Sequence, residues 1–293
     1  MSALRRAAEH PAVSAAALTP QAIGRAAIMA LHDELALSPK PGLVTPFSTG
    51  SHDDMDADTL MRSLFALRRY FVAITALGAR HAPFTALERC GIEAEARMMA
   101  ATGGINTHRG AIFQLGLLCA AAGALSAAGE ALTPDRIRAT LTTRWGDDLA
   151  RRAQRTSALP GGIAARRLSL RSASAEAALG FPVVFETAVP ALRDALARGL
   201  SATRSRLDTL FHIMAVLDDS NLAHRGGLEG LRFAQAQARS FLAAGGAAHA
   251  RGLERAAGIG DAFVRRHLSP GGAADMLASA CWMARLGGLT ARS

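Results

Sequence analysis

Four short polar segments interrupt a chain otherwise rich in Ala and Leu, and their side chains are of the kinds that handle phosphate and protons. Lys40-Pro41-Gly42 leads into Ser48-Thr49-Gly50-Ser51-His52-Asp53-Asp54-Met55-Asp56. The second segment is Gly103-Gly104-Ile105-Asn106-Thr107-His108-Arg109-Gly110. The third is Leu217-Asp218-Asp219-Ser220-Asn221, followed by His224-Arg225-Gly226-Gly227. The fourth is Ser269-Pro270-Gly271-Gly272-Ala273-Ala274-Asp275. Gly beside a polar residue, at the start of an apolar helix, leaves backbone N–H groups free to meet a phosphate. The same residues also cap and end helices, so one such segment alone says little. Four of them with one chemistry point to a polyphosphate ligand.

The acidic residues suggest what accompanies that phosphate. Asp53, Asp54 and Asp56 lie close together, and Asp218 and Asp219 are adjacent. Carboxylates so spaced repel each other unless a cation sits among them. Mg²⁺ suits them, since it takes one or two carboxylates together with substrate phosphates. Asp53, Asp54 and Asp56 also fit the acidic first turn of a helix. Asp218 and Asp219 fit a stability role less well, because the pattern predicts that they end a helix, where negative charge is unfavourable. His108 and Arg109 are expected to open a helix with apolar face Ile112, Leu115 and Cys119. A cation there opposes the dipole, so a bound anion would help, and His108 can give or take a proton near neutral pH.

These segments need helices to hold them. Thr19-Pro20 reads as a cap and first helical residue, opening a helix to about Leu37. The loop from 38 to 56 is long enough to expect a functional role. Helical periodicity predicts further elements at 57–79, 87–101, 109–128, 134–156, 188–199, 202–217, 227–243, 247–266 and 271–286. GFPVVFE at 180–186 is the one strand-like run. The expected architecture is all-α: a single multi-helix bundle over 19–293, with polar loops forming a nucleotide pocket at one end, and a loose arm over 1–18.

Composition narrows the classes. The chain has 293 residues, half of them hydrophobic, and a net charge of +9 carried almost wholly by Arg. Arg donates paired hydrogen bonds to phosphate, though it also decorates solvated helix faces. The basic stretch Arg151-Arg152, Arg155, Arg166-Arg167 and Arg171 has no interleaved aromatic residue, which argues against nucleic acid as a partner. Cys90, Cys119 and Cys281 are far apart and expected as buried thiols. The stretch 112–128 is apolar but interrupted, and reads as a core helix, not a membrane span. Arg5 and Arg6 are followed by Glu9, His10 and Pro11, so no secretory leader is expected and the protein is placed in the cytoplasm.

KPGLVTPFSTGSHDDMD at 40–56, GGINTHRGAIFQLGLL at 103–118, LDDSNLAHRGG at 217–227 and SPGGAADMLA at 269–278, in this order, resemble the triphosphoribosyl-dephospho-CoA synthase family, as does AEAALGFP at 175–182. The likeness spans roughly residues 31–286. It implies an all-helical enzyme that transfers the triphosphoribosyl unit of ATP to the 2′-hydroxyl of 3′-dephospho-CoA and releases adenine. The product would pass to a separate transferase that loads an acyl carrier protein. HDELALSPKPGLVTP at 32–46 is more similar to the malonate decarboxylase branch than to the citrate lyase branch. A Mg²⁺-dependent helical hydrolase of ribosyl or phosphate substrates is the rival reading. Ser220 stands where the family often has Thr, and Ala273 where Ser is common.

On this reading Lys40, Arg109, Arg225 and Gly-rich backbone hold phosphates. Ser51, His52, Asn106, Thr107, Asn221, Gly226, Gly227, Ser269, Gly271 and Gly272 are further substrate-binding candidates. Mg²⁺ would bridge the triphosphate to Asp53, Asp54 or Asp56, with Asp218 or Asp219 as another ligand. His108, Asp219 and Asp275 are the candidate catalytic residues, and the residue types do not choose among them.

Overall fold

The computed structural model describes residues 18–287. The arm expected over 1–18 falls, except for Leu18, outside them. The described residues form twelve α-helices and no β-strand, an all-α fold as expected: α1 (Pro20–Leu35), α2 (Ala57–Ala79), α3 (Phe84–Ala101), α4 (Arg109–Ala127), α5 (Pro134–Ala153), α6 (Pro160–Arg167), α7 (Ala173–Ala178), α8 (Val189–Ala197), α9 (Ala202–Val216), α10 (Ser220–Ala243), α11 (Gly252–Arg265) and α12 (Gly271–Arg285).

Half of the helix starts follow local side-chain capping chemistry. Thr19, Asp56, Thr133, Ser172, Ser201 and Asp219 each turn a side-chain oxygen onto the first free amides of the helix that follows. The heads of α4 and α12 differ. His108 and Pro270 stand at their N-cap positions and neither supplies a side-chain cap. Their amides are open to partners from elsewhere in the fold.

The core is built around α4, which packs on α1, α2, α3, α5 and α12. By length and composition α4 could cross a membrane, but 83% of its apolar window is buried inside the protein, so its hydrophobicity is that of a core helix. It lies very close to α2. A Cβ at Gly78 would sit 1.9 Å from the Ala120 carbonyl oxygen, and one at Gly123 would sit 2.1 Å from that of Thr75. The buried Tyr70 hydroxyl ties the pair by donating to the Ile112 carbonyl at 2.7 Å. Trp282 links α12 to α1 through its indole N–H and the Ile23 carbonyl at 3.3 Å.

Three departures from the expected elements have physical causes. The strand-like run at 180–186 is helical: Val183–Ala188 is a π-helical turn leading straight into α8. Its β-branched residues pack into a helical core, and no neighbouring strand exists among the described residues to pair with it. Residues 157–179, for which periodicity predicts no element, carry α6 and α7; Arg152 and Arg155 at the end of α5 engage Glu88, and Arg171 engages Glu176. Finally, α10 begins at Ser220 and not at 227, running through a kink where Gly227 adopts φ 61°. Asp218 and Asp219 therefore do not end a helix. α9 stops at Val216, and Asp219 heads α10, where the dipole favours its negative charge.

Candidate active site

The four polar segments meet. Asp219 heads α10 and accepts hydrogen bonds at Oδ1 from the Asn221 amide (2.9 Å) and the Leu222 amide (3.3 Å). Its Oδ2 accepts from the Ala273 amide at 3.0 Å, so the same carboxylate caps α12 in trans. Gly272 lies against it; an added Cβ would fall 3.1 Å from the Asp219 carboxyl carbon. Asp275, one turn into α12, turns to the head of α4, where the Ala111 amide favours its anion. A Cβ at Gly110 would be 1.9 Å from Asp275 Oδ2. The third segment is thus joined to the fourth, and the fourth to the second.

The first segment closes the ring. The Ser51 hydroxyl donates to the Leu268 carbonyl at 2.7 Å, and His52 Nε2 shares a 2.9 Å hydrogen bond with the Ser269 hydroxyl. Arg225 donates to the Ser51 carbonyl (3.0 Å) and the His267 carbonyl (3.2 Å), and its Nη2 lies 3.1 Å from His52 Nδ1. One guanidinium therefore ties the third segment to the first and to the chain just before the fourth.

Lys40 is buried and occupied. Its ammonium donates to Glu34 Oε1 at 2.5 Å and to the Glu34 carbonyl at 2.8 Å. Glu34, in α1, is a buried acid that the motifs did not single out. Its charge reaches Asp275, whose pKa is pushed well above the usual carboxylate value by burial, then by Glu34 and Asp219. Burial also raises Asp219, but backbone amides of Ala273, Asn221, Leu222 and Gly272 oppose the rise. Both acids are thus raised, Asp275 well above the usual carboxylate value and Asp219 against the opposing amides, so their environments differ in the way that sets an acid apart from a base. At the head of α4, His108 is 4% exposed, and burial, aided by the nearby Lys40 charge, lowers its pKa to about 4. Its imidazole is neutral at physiological pH. Burial and Arg225 also lower the pKa of His52.

Other candidate residues are placed at the rim. Arg109 pairs with Glu95 at 2.9 Å, and its amide is held by Asn106 Oδ1 at 3.3 Å. Thr107 donates to Ser63. Asn221 lies against Gly271. Gly226 faces Leu268, and Gly227 carries the α10 kink. Asp56 is engaged by the Thr59 amide and hydroxyl at 2.8 and 2.7 Å, and Asp218 accepts from the Arg171 amide at 3.1 Å. Asp53 and Asp54 are exposed. Among the described residues no group of three or more His, Cys, Asp or Glu gathers to hold a metal. A cavity of about 630 Å³ opens at the far end of α4 near Trp145 and Ala128 and touches none of the four segments.

Residues 20–293 match the family described as ATP:dephospho-CoA triphosphoribosyl transferase. The chain belongs to this family. A relative from Acinetobacter calcoaceticus, named as a probable 2-(5''-triphosphoribosyl)-3'-dephosphocoenzyme-A synthase, is 38% identical over 257 residues, covering 88% of each chain. One from Azotobacter vinelandii with the same name is 40% identical over 269 residues, covering 89% of each chain. A third, from Pectobacterium atrosepticum and named 2-(5''-triphosphoribosyl)-3'-dephosphocoenzyme-A synthase, is 40% identical over 260 residues, 85% of this chain and 84% of its own. No solved structure matches. In this transferase the motifs that carry the resemblance are those that converge on Asp219 and Asp275. Ser63 lies outside these motifs and Glu34 only in the 32–46 stretch, where its type and spacing do not mark it, and the three-dimensional packing brings both to the site.

Proposed function

We propose that this chain transfers the triphosphoribosyl unit of ATP to the 2′-hydroxyl of 3′-dephospho-CoA, releasing adenine, at the point where the heads of α4, α10 and α12 meet. The observation that carries the reading is the electrostatically coupled pair Asp219 and Asp275, set by family motifs at helix heads that attract anions. The bond between the anomeric carbon and adenine breaks, and a bond from that carbon to the acceptor oxygen forms. Asp275, held protonated, gives its proton to the departing adenine. Asp219, whose carboxylate the amides of α10 and α12 stabilise, faces the positive charge developing on the ribose and takes the hydroxyl proton. Arg109 and Arg225 at the rim, with backbone amides at the heads of α4 and α12, hold the triphosphate.

Mg²⁺ fits this site only as a companion of the triphosphate. The protein offers no complete cage, but the exposed Asp53 and Asp54 can supply the one or two carboxylates that Mg²⁺ takes beside phosphate oxygens. When bound, the ion neutralises phosphate charge. We place the enzyme in the cytoplasm and its product on the route to the malonate decarboxylase carrier protein, through a separate transferase. The segment 32–46 supports this branch over citrate lyase.

The test is to incubate the purified chain with ATP and 3′-dephospho-CoA and to analyse the product by mass spectrometry, with adenine measured alongside. A triphosphoribosyl adduct and acceptor-dependent adenine release are expected. Adenine or phosphate release that ignores the acceptor would transfer the chain to the hydrolase reading.

A further inference from the structure

Ser63 sits in the middle of the second turn of α2, outside all four polar segments, and is fully buried. Its hydroxyl lies 2.7 Å from His108 Nδ1. The Thr107 hydroxyl donates to Ser63 Oγ at 2.8 Å. The His108 backbone amide is anchored on the Met98 sulfur at 3.2 Å, which fixes the main chain from which the ring extends. Its other nitrogen, Nε2, is buried and has no hydrogen-bond partner among the described residues. A buried polar atom left unpaired is a standing cost, which a folded enzyme keeps where a ligand will supply the partner.

The direction of the hydroxyl chain decides what that atom offers. A hydroxyl has one proton. With Thr107 donating to Ser63, the Ser63 proton is free for His108 Nδ1 at 2.7 Å, and Nδ1 then accepts it. In a neutral imidazole whose Nδ1 accepts, the ring proton resides on Nε2. The unpartnered atom is then an N–H donor beside the head of α4 and the Lys40 ammonium, a setting that attracts anionic oxygen.

We propose that Ser63, backed by Thr107, is a positioning residue that fixes His108 in the Nε2–H tautomer, so that His108 donates a hydrogen bond to a phosphate oxygen of ATP and does not serve as the general base. The identity of the acceptor rests on the transfer reaction proposed above; the tautomer does not.

Nitrogen-15 NMR of the full chain labelled at histidine reads the tautomer without turnover. The wild type is expected to show His108 protonated at Nε2, Ser63→Ala to lose that single tautomer, and Ser63→Thr to restore it. Adding ATP without acceptor should shift the Nε2 resonance. In the coupled reaction, His108→Ala should lower kcat/KM for ATP by about 100-fold, as for other lost donors to a charged oxygen. His108→Gln, whose amide nitrogen can take the place of Nε2 but cannot act as a base, should stay within about tenfold of wild type, and Ser63→Ala should lose about fivefold. A proton found on Nδ1 would overturn the tautomer, and an unmoved resonance on adding ATP would overturn the phosphate contact. His108→Gln as inactive as His108→Ala would restore the base role. If the wild type forms no triphosphoribosyl product, the transfer reading fails, while the NMR result still decides the tautomer.

Discussion

The carboxylate of Asp219 caps two helices at once, its own α10 through Oδ1 and α12 through an Oδ2 contact of 3.0 Å to the Ala273 amide. That relationship separates capping from catalysis. Asn is nearly as good an N-cap as Asp, so Asp219→Asn keeps the α10 cap but turns an amide N–H₂ toward the donors of α12. Stability should fall by about 1–3 kcal/mol, while turnover falls by about 10²-fold or more if the Asp219 charge faces the ribose as proposed. Thermal unfolding and kcat measured on one preparation distinguish the two. A variant that loses stability but keeps its turnover would reduce Asp219 to a structural cap.

Asp275→Asn should act in the opposite direction on stability. Burial, Glu34 and Asp219 raise the Asp275 pKa in the folded state above its ordinary 3.8. The folded protein therefore binds the proton more tightly, and its stability declines as pH rises from the unfolded value through the raised folded one. Asn carries no such penalty. The variant should melt higher than wild type at pH 8, by about 2–4 °C for each kcal/mol recovered, with the gain vanishing near pH 4. Turnover should fall by about 10²–10⁴-fold if Asp275 supplies the proton to adenine. Paired melting curves at the two pH values check the sign.

The elements that frame the site were readable where local rules govern them. α2 has the bounds that its periodicity predicts, because Asp56 caps it and its apolar face is unbroken. α4 starts at Arg109, as the Gly-rich segment before it implies. The pair Gly226-Gly227 misled, since tertiary packing carries α10 through a kink that propensity alone would make a break. That single error inverted the meaning of Asp219, from a charge at a helix end to a cap at a helix head. Glu34 and Ser63 had no local signature. A lone acid or hydroxyl within an amphipathic helix reads as surface, and only the crossing of α1 and α2 over the head of α4 brings them inside.

His108 gives a pH dependence with the reverse sign to that of Asp275. Burial and Lys40 lower its pKa from 6.5 to about 4. Between those values the unfolded chain binds the proton and the folded one does not, so stability contributed by the neutral ring is lost as pH falls through that window. The loss amounts to about 3 kcal/mol by pH 4. His108→Gln cannot titrate there, so the difference in stability between the two proteins should narrow or reverse as pH drops from 7 to 4. Urea unfolding across that range measures it. A constant difference would mean that His108 is protonated as readily in the folded state as in the unfolded chain.

Gly110 gives the sharpest test of the geometry, because its replacement costs little elsewhere. Gly110 is in the first turn of α4, where Ala is the better helix former by about 1 kcal/mol. Its missing Cβ is the space that Asp275 Oδ2 fills, at 1.9 Å from where that carbon would stand. Gly110→Ala must therefore displace the Asp275 carboxyl, and a shift of about 1 Å in a reacting group can cost 10²-fold in rate. The helical gain partly offsets the local strain, so the melting temperature should change little while kcat falls at least tenfold. Wild-type turnover in a well-folded Gly110→Ala protein would show that the position of Asp275 against the head of α4 is not needed for the reaction.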